Sequence, residues 1–168
     1  MAAPELDDDD RHHLERVLRL RPGETVTVSD GRGGWRTCAF GAGGRLEPTG
    51  AVERRERPAP TITIAFALTK GEKPELTVQK LTELGADRIV PFTADRSVAR
   101  WEGDRAVRHL ERLRRVAREA AMQSRRAFLP EVSDLAEFAV VAGLPGACSP
   151  VMGWPMKIER ISLKVLNE

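Results

Sequence analysis

Residues 62–93 carry the pattern that most restricts how this chain can fold: an apolar run over 62–68, a mixed segment over 71–85, and a second apolar run, Ile89-Val90-Pro91-Phe92. Two short apolar runs on either side of a segment of helical length predict a βαβ unit, and parallel strands joined by a crossover helix imply a sheet of α/β type. Pro74 falls in the first turn of the predicted helix, where a missing N–H costs nothing, and Gly85 falls where a helix stops. Lys73, Gln79, Lys80 and Glu83 on this helix, with Arg96 beyond it, are more polar groups than packing alone requires.

The region in front of this unit has a different rhythm. Residues 7–20 predict a short helix with acids at its start, where the helix dipole favours them, and with Leu14, Val17 and Leu18 on one face. Strands are expected over 25–29 and 35–40, with turns over 30–34 and 41–44. Short strands with frequent turns indicate a compact barrel or sandwich. The glycine clusters do not give the Gly-x-Gly-x-x-Gly spacing that opens a nucleotide-binding helix, so they read as hairpin turns. Residues 53–60 are charged and end in Pro58-Ala59-Pro60, which reads as a linker. The expected organisation is a small β domain over 1–57, an α/β domain over 61–144, and a tail over 145–168 in which residue usage changes.

A second helix is expected over 104–126, with Val107, Leu110, Leu113, Val116, Ala117, Ala120 and Ala121 on one broad arc and Arg105, Arg108, Arg112, Arg115 and Arg126 opposite. The chain's net charge is only +2, yet residues 96–126 hold ten arginines against four acids. That stripe has two readings: a solvated face held by i,i+4 pairs such as Glu111–Arg115 and Arg115–Glu119, or a track for an RNA backbone. No apolar run approaches the roughly 18 residues of a membrane span, and the start has no signal-peptide core. Cys38 and Cys148 lie far apart and outside any metal-ligand spacing, so they read as reduced thiols. His12, His13 and His109 have no serine or cysteine at motif spacing, which argues against a hydrolytic triad.

Four blocks, taken together and in order, resemble one family. They are His13-Leu-Glu-Arg16-Val-Leu-Arg19 with Gly23 behind it, the 71–85 segment, Arg96-Ser97, and Glu119-Ala-Ala-Met-Gln123-Ser124-Arg125-Arg126 followed by Pro130. The resemblance is to the ribosomal RNA small subunit methyltransferase E family, which methylates N3 of a uridine in 16S ribosomal RNA. It implies a two-domain α+β/α/β protein: a PUA-like β-barrel followed by a SPOUT-type α/β methyltransferase domain, knotted in the family. It also implies S-adenosylmethionine as cofactor, the small ribosomal subunit as partner, a cytoplasmic location and, by analogy, a homodimer.

Carried over residue by residue, the resemblance makes Arg16, Arg19, Lys73, Lys80, Arg96 and Arg126 candidate RNA contacts, with His13 beside them. Gln79 and Glu83 fit either the site or the folding of the helix. The family's Gly-rich cofactor loop is not found after Pro130, and the pattern stops near Leu144. The expectation is therefore a truncated methyltransferase domain in which no residue is assigned to the cofactor, to catalysis or to a metal. A non-catalytic RNA-binding module and an unstable remnant are the alternatives.

Overall fold

In the computed structural model, which describes residues 4–6, 8–94 and 99–144, the chain forms two units joined in sequence. The front unit opens with α1 (Asp8–His12), which runs directly into a π-helical turn over His13–Val17. This differs from the α-helix expected there. In the wider turn Leu18 N–H reaches back to His13 O and Leu20 N–H to Leu14 O. The extra residue per turn breaks the i, i+3, i+4 alignment, so Leu14 and Leu20 pack on the core while Val17 and Leu18 face solvent.

Four antiparallel strands follow: β1 (Thr25–Ser29), β2 (Gly34–Phe40), β3 (Leu46–Pro48) and β4 (Glu53–Arg54). β2 is the centre of the sheet, pairing with β1 from Trp35 to Ala39, with β3 from Cys38 to Phe40, and with β4 at Gly34 and Trp35. β4 begins the segment read from sequence as a linker. Two exposed residues carry no alternation of their own, and only their pairing with β2 reveals the strand. Cys38, Phe40 and Leu46 form the small core, with Leu6, Leu14, Leu20, Val26 and Val28 around it. Burial pushes the Cys38 thiol up, against a smaller opposing pull from Arg36, so it packs as an apolar side chain.

The second unit is built on parallel strands. β5 (Thr63–Ala67) and β6 (Arg88–Thr93) pair in register from Thr63 with Arg88 to Ala67 with Phe92, joined by α2 (Lys73–Leu84). Pro74 sits in the first turn of α2 and Gly85 takes the left-handed C-cap position at φ 94°. α3 (Gly103–Gln123) packs along α2 and leads to β7 (Glu131–Val132) and β8 (Ala136–Glu137), both parallel to β6. A short α4 (Phe138–Ala142) then crosses β6, placing the Phe138 ring 5.8 Å from that of Phe92.

The division of the third strand into β7 and β8 traces to one residue. On β6 the carbonyls of Asp87 and Ile89 accept from Glu131 and Ser133 N–H, so odd-numbered residues face β7 and β8. Pro91 is the next in that series and has no N–H to give. The ladder opens opposite it, and pairing resumes at Phe92 with Ala136. The core of this unit is Val78, Ala86, Ile89, Leu113, Ala117 and Val132. Of the arc expected on α3, Leu110, Leu113, Ala117, Ala120 and Ala121 are buried, whereas Val107 is 53% exposed.

Candidate nucleic-acid interface

Among the described residues, the arginines of α3 divide into those that reach other elements and those that do not. Arg112 Nε lies 3.2 Å from Glu75 Oε1 on α2, Arg114 bonds Asp134 at 2.7 Å and the Val132 carbonyl at 3.3 Å, and Arg118 pairs with Asp10 of α1. These contacts tie α3 to α2, to the sheet edge and to the front unit. The i,i+4 pairs expected from sequence, Glu111–Arg115 and Arg115–Glu119, do not form among the described residues, because the acids that arginines reach here come from other elements. Arg108 and Arg115 are exposed, and Arg105 donates through Nε to His109 Nε2 at 3.4 Å, whose ring stacks on Trp101 at 4.4 Å.

The polar residues of α2 form one cluster. Lys80 Nζ donates to Glu83 Oε2 at 2.7 Å and Gln79 Nε2 to Glu83 Oε1 at 3.0 Å. These hydrogen bonds, Lys80 first and Gln79 second, hold the Glu83 carboxyl below the usual carboxylate range against a small desolvation effect. Arg126 reaches the same helix end, with Nη1 3.5 Å from the Glu83 carbonyl and its guanidinium filling the space a Cβ on Gly85 would occupy. A cation over the last carbonyls of a helix is favoured by its dipole, so Arg126 links the segment after α3 to the end of α2.

Lys73 is exposed at the start of α2 and borders a groove of about 570 Å³ between α2 and α3, whose lining includes Glu72, Glu75, Gln79, Arg112 and Glu119. Glu75 Oε2 is buried there without a hydrogen-bond partner among the described residues. A second groove of about 460 Å³ lies between α3, the third strand and α4 and is lined by Arg88, Arg114, Asp134 and Val140 among others. An adenosyl group needs an apolar slot with convergent polar groups. Both grooves mix apolar and charged walls: the first sets the Glu75–Arg112 pair beside Leu76, Val116 and Ala120, and the second sets Arg114 and Asp134 beside Val90, Val132 and Val141. Arg16 and Arg19 are exposed on the front unit and His13 is half-buried. Arg96 and Ser97, and the whole tail after Leu144, lie outside the described residues.

Sequence reasoning missed the contact that joins the two units. The β1–β2 turn docks on the segment after α3: Gly33 N–H bonds Ala127 O at 2.8 Å, and Leu129 N–H bonds Gly31 O at 2.9 Å. Arg57 sits 4.8 Å over the Phe128 ring and pairs with Asp87, itself bonded to Ile62 N–H. The two bonds that seat the turn join backbone to backbone, and such bonds leave no periodic signal. Asp30 shapes the turn by accepting from Arg32 N–H at 2.7 Å and Gly34 N–H at 2.9 Å. Desolvation raises the Asp30 carboxyl, but those N–H groups with the charges of Arg54 and Arg32 outweigh it and leave the group below its ordinary value.

A pH dependence follows. With the folded value depressed, the Asp30 contribution is fully present above the unfolded value of about 3.9 and is lost as pH falls through the lower folded value. Asp30→Asn should remove that acid-side decline in stability while weakening the turn at neutral pH. Urea midpoints measured from pH 7 down to about 3 check it; parallel profiles for both proteins would count against the assignment.

Comparison with known proteins places both units. Residues 55–144 match the family model for an RNA methyltransferase domain, and residues 6–46 match that for an RNA methyltransferase PUA domain. Ribosomal RNA small subunit methyltransferase E of Mycobacterium bovis is 40% identical over 133 residues, covering 77% of this chain and 51% of that protein. The Bacillus subtilis protein of the same name is 35% identical over 132 residues, covering 76% and 51%. The chain thus spans about half the length of the relatives it matches. A crystal structure of ribosomal RNA small subunit methyltransferase E from Neisseria gonorrhoeae bound to S-adenosyl methionine superposes with a TM-score of 0.75 at 28% identity, covering 84% of this chain and 60% of that one.

Proposed function

We propose, from the premise that this chain belongs to the RNA methyltransferase family and within it to the ribosomal RNA small subunit methyltransferase E group, that its role is to grip 16S ribosomal RNA for methylation at N3 of a uridine. The observation that carries the reading is that both units, in order, follow a methyltransferase E structure over 84% of the chain. A PUA-like barrel in front and a SPOUT-type domain, knotted in the family, belong to the same proposal. So do domain limits of 1–57 and 61–144, a cytoplasmic location and a homodimer. No helix among the described residues is long and apolar enough to cross a membrane.

Methylation at N3 requires loss of the imide proton and in-line attack on a sulfonium methyl, so the protein's task is positioning and stabilisation of a developing anion. S-adenosylmethionine supplies the methyl group when bound. The residues described here are assigned to the RNA side. Arg16 and Arg19 contact phosphate from the front unit, Lys73 and Lys80 from α2, and Arg126 from the segment after α3; Arg96, outside the described residues, belongs to the same proposal. Because the family's Gly-rich cofactor loop is not found in the sequence after Pro130, the 168-residue chain is expected to bind RNA and to transfer no methyl group by itself.

Binding of unmodified 16S ribosomal RNA fragments, titrated across salt, tests this directly. Each phosphate contact adds about 0.7 to 0.9 to the slope of log affinity against log salt. Arg16→Ala should therefore flatten the slope by roughly one such step and weaken binding several-fold. Affinity that does not respond to salt, or methyl transfer to RNA by the purified chain, would contradict the reading.

A further inference from the structure

Three helical segments of this chain end on a left-handed residue, which is glycine after one and arginine after the other two. After α2, Gly85 N–H bonds Thr82 O and Ala86 N–H bonds Leu81 O, the paired bonds of a Schellman motif, with Gly85 left-handed. After α3, Arg125 N–H bonds Met122 O at 3.2 Å and Arg126 N–H bonds Ala121 O at 2.9 Å, and Arg125 has φ 51°. After the π turn, Leu20 N–H bonds Leu14 O, and Arg19 has φ 53°. Arg19 and Arg125 are the two non-glycine residues with positive φ among those described.

An L-residue in this conformation crowds its Cβ against the backbone, which is why glycine normally fills the position. Arginine brings no local compensation of the kind asparagine or aspartate offers through a short polar side chain. Both arginines are exposed, and neither side chain makes a hydrogen bond or ion pair among the described residues. Arginine-rich coding does not account for the choice, since the base composition that favours arginine codons favours glycine codons equally. Strain held at an exposed position without a partner in the fold implies a use outside it. The charge and planar fork of the guanidinium suit a phosphate oxygen.

We infer that Arg125, at the end of α3, is an RNA-phosphate contact that pairs functionally with Arg19 on the front unit, each aimed by a left-handed helix closure. The inference rests on the RNA-binding reading above. It adds Arg125 as a ligand-binding residue and ascribes its backbone conformation to that use. Arg125 sits one residue before the cap formed by Arg126 and two before Ala127, which receives the front unit's turn. Its position is thus fixed relative to both units, and RNA bound there would bridge them.

Arg125→Gly separates the two demands on this position. Relief of the left-handed residue should raise the melting temperature by roughly 2–5 °C, while loss of the contact should weaken binding of a 16S ribosomal RNA fragment about 3–10-fold. The salt slope should fall by about 0.7 to 0.9, and Arg125→Lys should recover most of the affinity. A more stable variant with unchanged RNA affinity would overturn the inference and leave the reading of the chain as an RNA binder intact. A less stable variant with unchanged affinity would also overturn it, showing that the helix dipole repays the strain. If the unaltered chain binds RNA without salt dependence, both readings fail together. Arg125→Asn, which tolerates the left-handed region, keeps the test valid if glycine disturbs the helix end.

Discussion

Gly33→Ala should destabilise the chain by about 2–4 kcal/mol, the combined cost of a left-handed L-residue and of overpacking a filled site. Gly33 has φ 95°, and a Cβ placed there would meet Phe128 Cζ at 2.5 Å and the Arg55 carbonyl at 2.6 Å. Neither can retreat freely. The Arg55 N–H is bonded back to Gly33 O at 2.8 Å, and the Phe128 ring is held under Arg57. The methyl would therefore push the β1–β2 turn off the segment after α3, breaking the Gly33–Ala127 and Leu129–Gly31 bonds that join the units. Urea denaturation measures the loss. Phe128→Ala provides the second arm of a cycle: removing the ring eliminates one of the two clashes, so Gly33→Ala should cost distinctly less in that background. An unchanged urea midpoint for Gly33→Ala would show that the turn is not held there. Because no cation is removed, weakened RNA binding by this variant would report the relative placement of the two units instead of a lost contact.

The position that matters most to this junction was silent in the sequence, and the reason is physical. Hydrophobic period and capping chemistry exposed α2, α3, β5 and β6, since Pro74, Gly85 and the apolar arc around Leu113 leave marks that local rules read. β1 and β2 were legible from alternation and glycine turns. What escaped depends on partners distant in sequence. β4 is two exposed residues recruited by β2, the β7–β8 break is imposed by Pro91 on a neighbouring strand, and the ion pairs of Arg112, Arg114 and Arg118 go to Glu75, Asp134 and Asp10 instead of to helical neighbours. The site shows the same split. Polar residues on α2 were identifiable as a group, yet their mutual bonding through Glu83, and the docking of Arg126 on the end of that helix, required the fold. Left-handed backbone at Arg19 and Arg125 could not be anticipated, because sequence rules assign such positions to glycine or asparagine.

Leu113→Ala should cost about 2–5 kcal/mol, the range for truncating a fully buried leucine, and should reduce or abolish the cooperative melt. Leu113 is 0% exposed at the middle of α3, in one cluster with Val78 of α2, Ile89 of β6 and Val132 of β7. It therefore belongs to a core shared by α2, β6 and β7. The cavity would be lined by groups fixed on three elements, so collapse can recover little of the loss. For a domain of this size the total margin is only about 5–10 kcal/mol, and a loss in the upper range leaves a substantial unfolded fraction at physiological temperature. Val107→Ala is the matching control: the same arc predicted burial for it, but at 53% exposed it should change stability by less than about 0.5 kcal/mol. Thermal and urea unfolding of the two variants discriminate between a core organised on Leu113 and one spread evenly along α3; equal losses would refute the first. RNA affinity should follow stability in Leu113→Ala and stay unchanged in Val107→Ala, because α3 can present its arginines only while its buried face holds it on the sheet.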